Sequence, residues 1–325
     1  MLLSNMALVQ IIRGTSLKRK IIAVLTVFII LFSSSCTEQR AAAVLHAEDS
    51  VNVIAYRDTL FDFKIQSPQG FVYDLQENKI VFTKGEKNVV YPGSTSKLLT
   101  ILFALSVLSE ETVITAGDEL SFVKEGSSLA YIKKGHRLTV EMLVEAMLLP
   151  SGNDAAYVLA AATGYALKPD SLSAAEAITV FIQGANVYAK EIGLCGTVLT
   201  SPDGYAGEEN YSTTEDMAIL AKKALEHEVV CKYASMYQDS VTYESGHKNT
   251  WTNTNLLLNP QSKYYSSCVT GLKTGSIQGE YSLLFSFRLD DGREYIAGVF
   301  GADGKYERFE DARRIISFFE ENNNL

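Results

Sequence analysis

The chain has 325 residues, 47% of them hydrophobic and 21% charged, which suits a packed globular protein and excludes a disordered one. Formal net charge is −9, from 29 basic against 38 acidic residues. The first 35 residues carry Arg13, Lys18, Arg19 and Lys20 and no acid, so 25 basic against 38 acidic groups leave −13 on the remainder. A body this acidic lacks the phosphate-neutralising charge that nucleic-acid binding requires.

Lys18-Arg19-Lys20 is followed by a run from Ile21 to Phe32 that is apolar but for Thr26, then by the small residues Ser33-Ser34-Ser35 and by Cys36. A basic cluster, a short apolar core and a small-residue zone predict an export signal over residues 1–35. This run of 12 residues is too short for an ordinary membrane span. Cys36 directly behind it resembles a bacterial lipoprotein processing site, although Ser33 stands where that pattern prefers Leu. A cut after Ala41-Ala42-Ala43 is the competing, lipid-free solution. Both place the mature protein outside the cytoplasm, either lipid-anchored to the membrane or secreted.

Residues 36–60 are polar and acidic and read as a tether, and residues 61–325 as one folded domain, with a mostly helical part at about 100–250. Its first expected elements are the strands Phe71–Leu75 and Lys79–Phe82, joined by a turn at Gln76-Glu77-Asn78. The break at Pro92-Gly93 precedes a run of good helix formers, Lys97–Leu105. Thr139 opens a helix from Val140 that ends at Pro150, and Asn153-Asp154 begin an Ala-rich one. Residues 173–192 and 213–226 continue the helical pattern. Strands return at Tyr281–Arg288 and Glu294–Phe300, with Asp290-Asp291-Gly292 as a hairpin turn. A closing amphipathic helix runs from Tyr306 to Glu321. Strands at both ends with helices between predict an α+β fold, with one sheet interrupted by an inserted helical region.

Cys195, Cys231 and Cys268 are too widely spaced for a zinc site and are expected to be buried free thiols. His46, His136, His227 and His247 are scattered, and none is given a ligand role.

Three short motifs carry chemistry. Ser94 and Lys97 are three residues apart at a helix start, so they share one face. A Ser hydroxyl needs an adjacent base, and a Lys in a dry site becomes neutral enough to serve. The bland reading is an N-capping Ser with a surface Lys. Ser151-Gly152-Asn153 lies between two helices, where Ser151 could relay a proton to a leaving amine and Asn153 could hold a substrate amide. Alone, it is a turn with an N-cap. Lys273-Thr274-Gly275 precedes the Tyr281 strand, where Lys273 and Thr274 could bind a carboxylate and Gly275 could admit a substrate backbone. Alone, it is a strand edge. The three in this order form the set shared by serine penicillin-binding proteins and class A β-lactamases, a conjunction far more specific than any member.

From about residue 65 to 318 the chain resembles the low-molecular-weight penicillin-binding proteins, the serine-type D-Ala-D-Ala carboxypeptidases of bacterial cell walls. The resemblance rests on Tyr91-Pro92-Gly93-Ser94-Thr95-Ser96-Lys97, Leu148-Leu149-Pro150-Ser151-Gly152-Asn153-Asp154 and Gly271-Leu272-Lys273-Thr274-Gly275. Gly126-Ser127-Ser128, Tyr211–Ala218 and Asn253-Thr254-Asn255 also match and are read as structural. Ser201-Pro202-Asp203-Gly204 departs from the usual Asn-Pro-His-Gly. No counterpart of the additional β-domain and C-terminal anchor of many relatives follows the closing helix, so anchoring is expected at the N-terminus.

The resemblance implies a β-lactamase/transpeptidase-like fold, an antiparallel sheet flanked by helices with an inserted helical subdomain. It implies that Ser94 attacks the bond between the terminal D-Ala residues of a peptidoglycan stem peptide, with Lys97 as base and Ser151 as proton relay. Asn153, Lys273, Thr274, Gly275 and Ser276 would bind substrate, the Ser94 and Ser276 N–H groups would form the oxyanion hole, and β-lactams would acylate Ser94. No metal or organic cofactor is implied. Two rivals remain: a β-lactamase, which needs a deacylating carboxylate that Glu176, Glu191, Asp203, Glu208 and Glu209 do not supply in a recognisable loop, and a non-catalytic wall-binding relative.

Overall fold

A computed structural model describes residues 64–85, 89–169, 172–205 and 207–322. The expected signal, the Cys36 site and the tether up to residue 60 lie outside these residues.

The chain enters through the hairpin β1 (Gln69–Asp74) and β2 (Lys79–Lys84), whose aromatic and β-branched residues suit a pleated strand. A 3₁₀ turn, Gly93–Ser96, leads directly into α1 (Lys97–Leu105). A short hairpin, β3 (Val113–Thr115) and β4 (Arg137–Thr139), precedes α2 (Val140–Leu148). Thr139 caps α2 by accepting the Met142 N–H at 3.1 Å. Next come α3 (Asn153–Leu167) and α4 (Ala174–Glu191), the latter opened by a capping box between Ser173 and Glu176. They are followed by α5 (Thr214–Ala224) and α6 (Glu228–Ala234). A second hairpin, β5 (Gln238–Thr242) and β6 (Lys248–Thr252), closes this block, so its end is sheet and not helix. The final elements are β7 (Val269–Ile277), β8 (Glu280–Arg288), β9 (Glu294–Ala302) and α7 (Glu307–Glu321).

The main sheet is antiparallel with strand order β2-β1-β9-β8-β7, so the two chain ends meet in one sheet. Strand β8, between β9 and the edge strand β7, is buried on both faces, which a period of two makes possible. Leu283, Phe285 and Phe287 belong to a core built with Phe309, Ala312, Ile315, Ile316 and Phe319 of α7. These helix positions recur every three or four residues, the spacing of one helical face. Leu284 belongs to the larger core shared with α1, α2 and α3. The sheet is thus the middle of three layers. Each fully buried Phe or Ile contributes about 1.5–3 kcal/mol.

Buried polar anchors fix the layers. Asp311 of α7 is fully buried and accepts the N–H groups of Gln66 and Ser67 at 2.8 and 2.7 Å. It also accepts Arg314 at 2.6 Å, so the closing helix is pinned to the segment entering β1. Cys195, Cys231 and Cys268 are only half-buried, a correction to the expected full burial. Cys231, in the middle of α6, donates to the Leu225 carbonyl at 3.3 Å. His136 and His247 stack at 4.6 Å, which their separation in sequence did not announce.

Candidate active site

The nucleophile motif is built by a tight turn. Gly93 takes φ +51°, a conformation costly for other residues, and a Cβ there would stand 3.0–3.1 Å from the Ser276 main chain. The turn is stapled by Thr95 and Ser96, whose hydroxyls donate to the Pro92 and Gly93 carbonyls at 2.8 Å each. In a 3₁₀ turn the side chains at i and i+3 eclipse. Ser94 and Lys97 accordingly meet, with Lys97 Nζ 2.7 Å from Ser94 Oγ.

Lys97 is fully buried. Its Nζ also donates to Asn153 Oδ1 at 2.8 Å and to the Asp203 carbonyl at 2.9 Å, so all three N–H directions are used. Burial lowers its pKa to about 8, against the opposing pull of the Asp203 and Asp154 carboxylates. The site therefore has a nucleophile held by a base that is substantially neutral just above neutral pH.

Asn153 is placed by the start of α3. Its N–H donates to the Ser128 carbonyl at 2.8 Å, and the neighbouring Asp154 carboxylate accepts the Ala130 and Ile132 N–H groups at 2.9 Å each. Burial raises the Asp154 pKa, against these backbone hydrogen bonds. Ser151 sits just ahead with φ +63°, left-handed backbone that a non-glycine residue adopts only under constraint. It is 4% exposed and lines the cleft together with Ser94.

The third motif lies on β7, the edge strand beside the nucleophile turn. Lys273 is fully buried and donates to the Thr274 carbonyl at 2.9 Å. Its pKa is driven well below the ordinary lysine value by burial first, then by the positive charges of Lys97 and Arg308. A Cβ on Gly275 would lie 2.4 Å from the Pro92 carbonyl oxygen. The missing side chain thus lets β7 press against the nucleophile turn; the sequence-based expectation gave it to the substrate instead. Ser276 is exposed at the cleft wall.

The cleft has a volume of about 480 Å³ and brings together Ser94, Ser151, Thr274, Gly275 and Ser276. Lys97, Asn153 and Lys273 stand behind this wall, joined to it by the bonds just described. Ser128 and Thr254 also line the cleft, which corrects their reading as purely structural residues. Thr254 and Thr274 share a hydroxyl hydrogen bond of 2.6 Å, a contact between loop and strand that no local sequence pattern encodes.

Arg308 was not singled out from sequence. It is one of several charged residues on an amphipathic closing helix, where the pattern predicts solvent exposure. It is instead 5% exposed and lines the cleft. Its Nη1 donates to the Gly275 and Ser282 carbonyls at 2.7 and 3.2 Å, and burial lowers its pKa to about 10. Among the described residues no group of three or more His, Cys, Asp or Glu side chains could hold a metal ion.

Comparisons with known proteins agree with this geometry. Residues 57–304 match the D-alanyl-D-alanine carboxypeptidase family of peptidases, and the chain belongs to that family. It is 29% identical over 245 residues to the D-alanyl-D-alanine carboxypeptidase DacF of Bacillus subtilis, an alignment covering 74% of this chain and 58% of that protein. A D-alanyl-D-alanine carboxypeptidase of Streptomyces sp. (strain K15) is 30% identical over 259 residues, covering 77% of this chain and 85% of the relative. The crystal structure of the Streptomyces K15 DD-transpeptidase superposes with a TM-score of 0.71 and 28% identity, covering 79% of this chain and 98% of that one. The penicillin-binding, transpeptidase-like fold expected from sequence is thus the observed one.

Proposed function

We propose that this protein is a serine-type D-Ala-D-Ala carboxypeptidase that removes the terminal D-Ala from peptidoglycan stem peptides through an acyl-enzyme on Ser94, and that β-lactams acylate the same oxygen. The observation that carries this reading is the 2.7 Å contact between Ser94 Oγ and the fully buried Lys97 Nζ, whose pKa lies at about 8.

In this mechanism neutral Lys97 takes the Ser94 proton as Oγ bonds to the carbonyl carbon of the scissile D-Ala-D-Ala amide. Negative charge develops on the carbonyl oxygen, which the Ser94 and Ser276 N–H groups receive. The main chain of Ser276 lies against the nucleophile turn at Gly93, which favours such a pair. One donor of this kind is worth about 3–4 kcal/mol of barrier. The tetrahedral adduct collapses when the carbon–nitrogen bond breaks, and Ser151, with Lys273 behind it, passes a proton to the departing amine. Water then adds to the ester, and free Ser94 returns.

Substrate orientation follows from charge. Asn153 holds the substrate amide. The terminal carboxylate is received by Thr274 and Lys273, with Arg308 at the same wall. An arriving carboxylate favours the ammonium form of Lys273, so binding restores the charge that burial suppresses. The basic cluster and apolar run within residues 1–35 support an extracytoplasmic site for this activity, with Cys36 as candidate lipid anchor. Among the described residues no helix is long and apolar enough to cross a membrane.

The test is release of free D-Ala from a synthetic peptide ending in D-Ala-D-Ala, measured by chromatography. The protein releases it, and Ser94→Ala does not. Undiminished release by Ser94→Ala rejects the assignment.

A further inference from the structure

The carbonyl that receives the third Lys97 proton belongs to Asp203, and the side chain of that residue is in an unusual state. Asp203 is 1% exposed. Its Oδ1 accepts Ser201 Oγ at 2.8 Å and the Tyr205 N–H at 3.1 Å. Its Oδ2 is buried and has no hydrogen-bond partner. A buried carboxylate oxygen left without a donor is costly, and a cation nearby is the compensation that makes it tolerable.

The residues around it hold it there. Thr100 Oγ1 donates to the Pro202 carbonyl at 2.7 Å. Gly204, at φ +78°, packs so closely on the nucleophile turn that a Cβ would stand 2.1 Å from the Gly93 carbonyl oxygen. The loop is therefore fixed to the element carrying Ser94 and Lys97. Charged groups facing Lys97 are Asp203 from this loop, Asp154 from α3 and Lys273 from β7, with Arg308 beyond Lys273. Asp203 itself also faces the Tyr157 hydroxyl. Both oxygens of Asp154 are engaged by backbone N–H groups, whereas Asp203 keeps one free.

We infer that Asp203 is a positioning residue for Lys97 and completes a Ser94–Lys97–Asp203 set: its main-chain carbonyl aims the lysine nitrogen at Ser94, and its carboxylate favours the lysinium that forms when the Ser94 proton arrives. The logic is that of any nucleophile whose base is oriented and charge-balanced by a third group. The step balances, since the Ser94 O–H bond breaks, its proton binds the Lys97 lone pair, and the oxygen electron pair forms the new bond to carbon.

The inference deepens the acyl-enzyme reading, and its first test does not depend on that reading. The Lys97 side-chain resonance of ¹³C-lysine-labelled protein, assigned through Lys97→Arg, is titrated in wild type, Asp203→Asn and Asp203→Glu. Losing a nearby opposite charge lowers a lysine pKa, here by about one unit. The Lys97 midpoint falls by that amount in Asp203→Asn and stays near wild type in Asp203→Glu, where a purely structural role would move both or neither. Asp203→Ser, neutral without a buried amide, repeats the expected fall should the Asn variant not fold. An unchanged midpoint in the neutral variants, or an equal fall in Asp203→Glu, overturns the inference. The pH dependence of benzylpenicillin acylation supplies a second readout and shifts down by the same amount. No adduct in wild type at any pH defeats the acyl-enzyme reading, while the lysine titration still decides the role of Asp203.

Discussion

Replacing Gly204 by Ala tests how strictly the nucleophile turn is braced. An added Cβ would stand 2.1 Å from the Gly93 carbonyl oxygen and 2.4 Å from Ser96 Oγ, where ordinary contact begins at 3.4 Å. The backbone oxygen cannot rotate away, so loop and turn must separate by about 1.3 Å to restore contact distance. That displacement is enough to break the two bonds that join the loop to α1, from Lys97 Nζ to the Asp203 carbonyl at 2.9 Å and from Thr100 Oγ1 to the Pro202 carbonyl at 2.7 Å. The φ of +78° adds about 1–3 kcal/mol of backbone strain for a residue with a Cβ. Misplacing catalytic groups by about 1 Å costs about a hundredfold in rate. The expected outcome is a folded protein with a lowered melting temperature whose acylation by benzylpenicillin, followed by intact mass, slows by about two orders of magnitude. Wild-type acylation with an unchanged melting temperature would refute the bracing argument.

Two further outcomes follow from titration. Protonated Lys97 has no lone pair, and its pKa lies at about 8, so acylation falls as pH drops below that value, to about 1% of its plateau at pH 6; a flat rate from pH 6 to 9 contradicts the base assignment. Glu145 of α2 is 2% exposed with an unpartnered Oε1, and burial, reinforced by Asp239, raises its pKa to about 8. The folded state therefore holds a proton that the unfolded chain releases above its own carboxylate pKa, and stability drains away as pH rises toward 8. Glu145→Gln removes that loss and gains about 1–3 kcal/mol at pH 8 with little change at pH 4, measured by urea unfolding; a pH-independent effect rules the neutral carboxyl out.

Much of this was legible in the sequence for identifiable reasons. The helix over Lys97–Leu105 and the strands from Tyr281 and Glu294 announce themselves because periodicity, capping residues and turn residues coincide. The hairpins at Val113–Thr115 with Arg137–Thr139 and at Gln238–Thr242 with Lys248–Thr252 did not, because three- to five-residue strands carry too few alternations. Ser94, Lys97, Ser151, Asn153 and Lys273 stood out as motif members, since their spacing encodes local geometry. Arg308 did not, and Thr254 is read from sequence as structural, since their part in the cleft depends on which strand a distant helix or loop packs against. The Asp203 carbonyl is still harder to foresee: a main-chain oxygen carries no residue-type signal, and only the fold brings it to Lys97.

The most direct measurement is the intact mass of the protein after incubation with benzylpenicillin, beside Ser94→Ala. A lasting adduct of one penicillin on the protein, absent from the variant, is the expected result. An adduct retained by Ser94→Ala, or penicillin recovered intact with no adduct on the wild-type protein, contradicts a serine acyl-enzyme at Ser94.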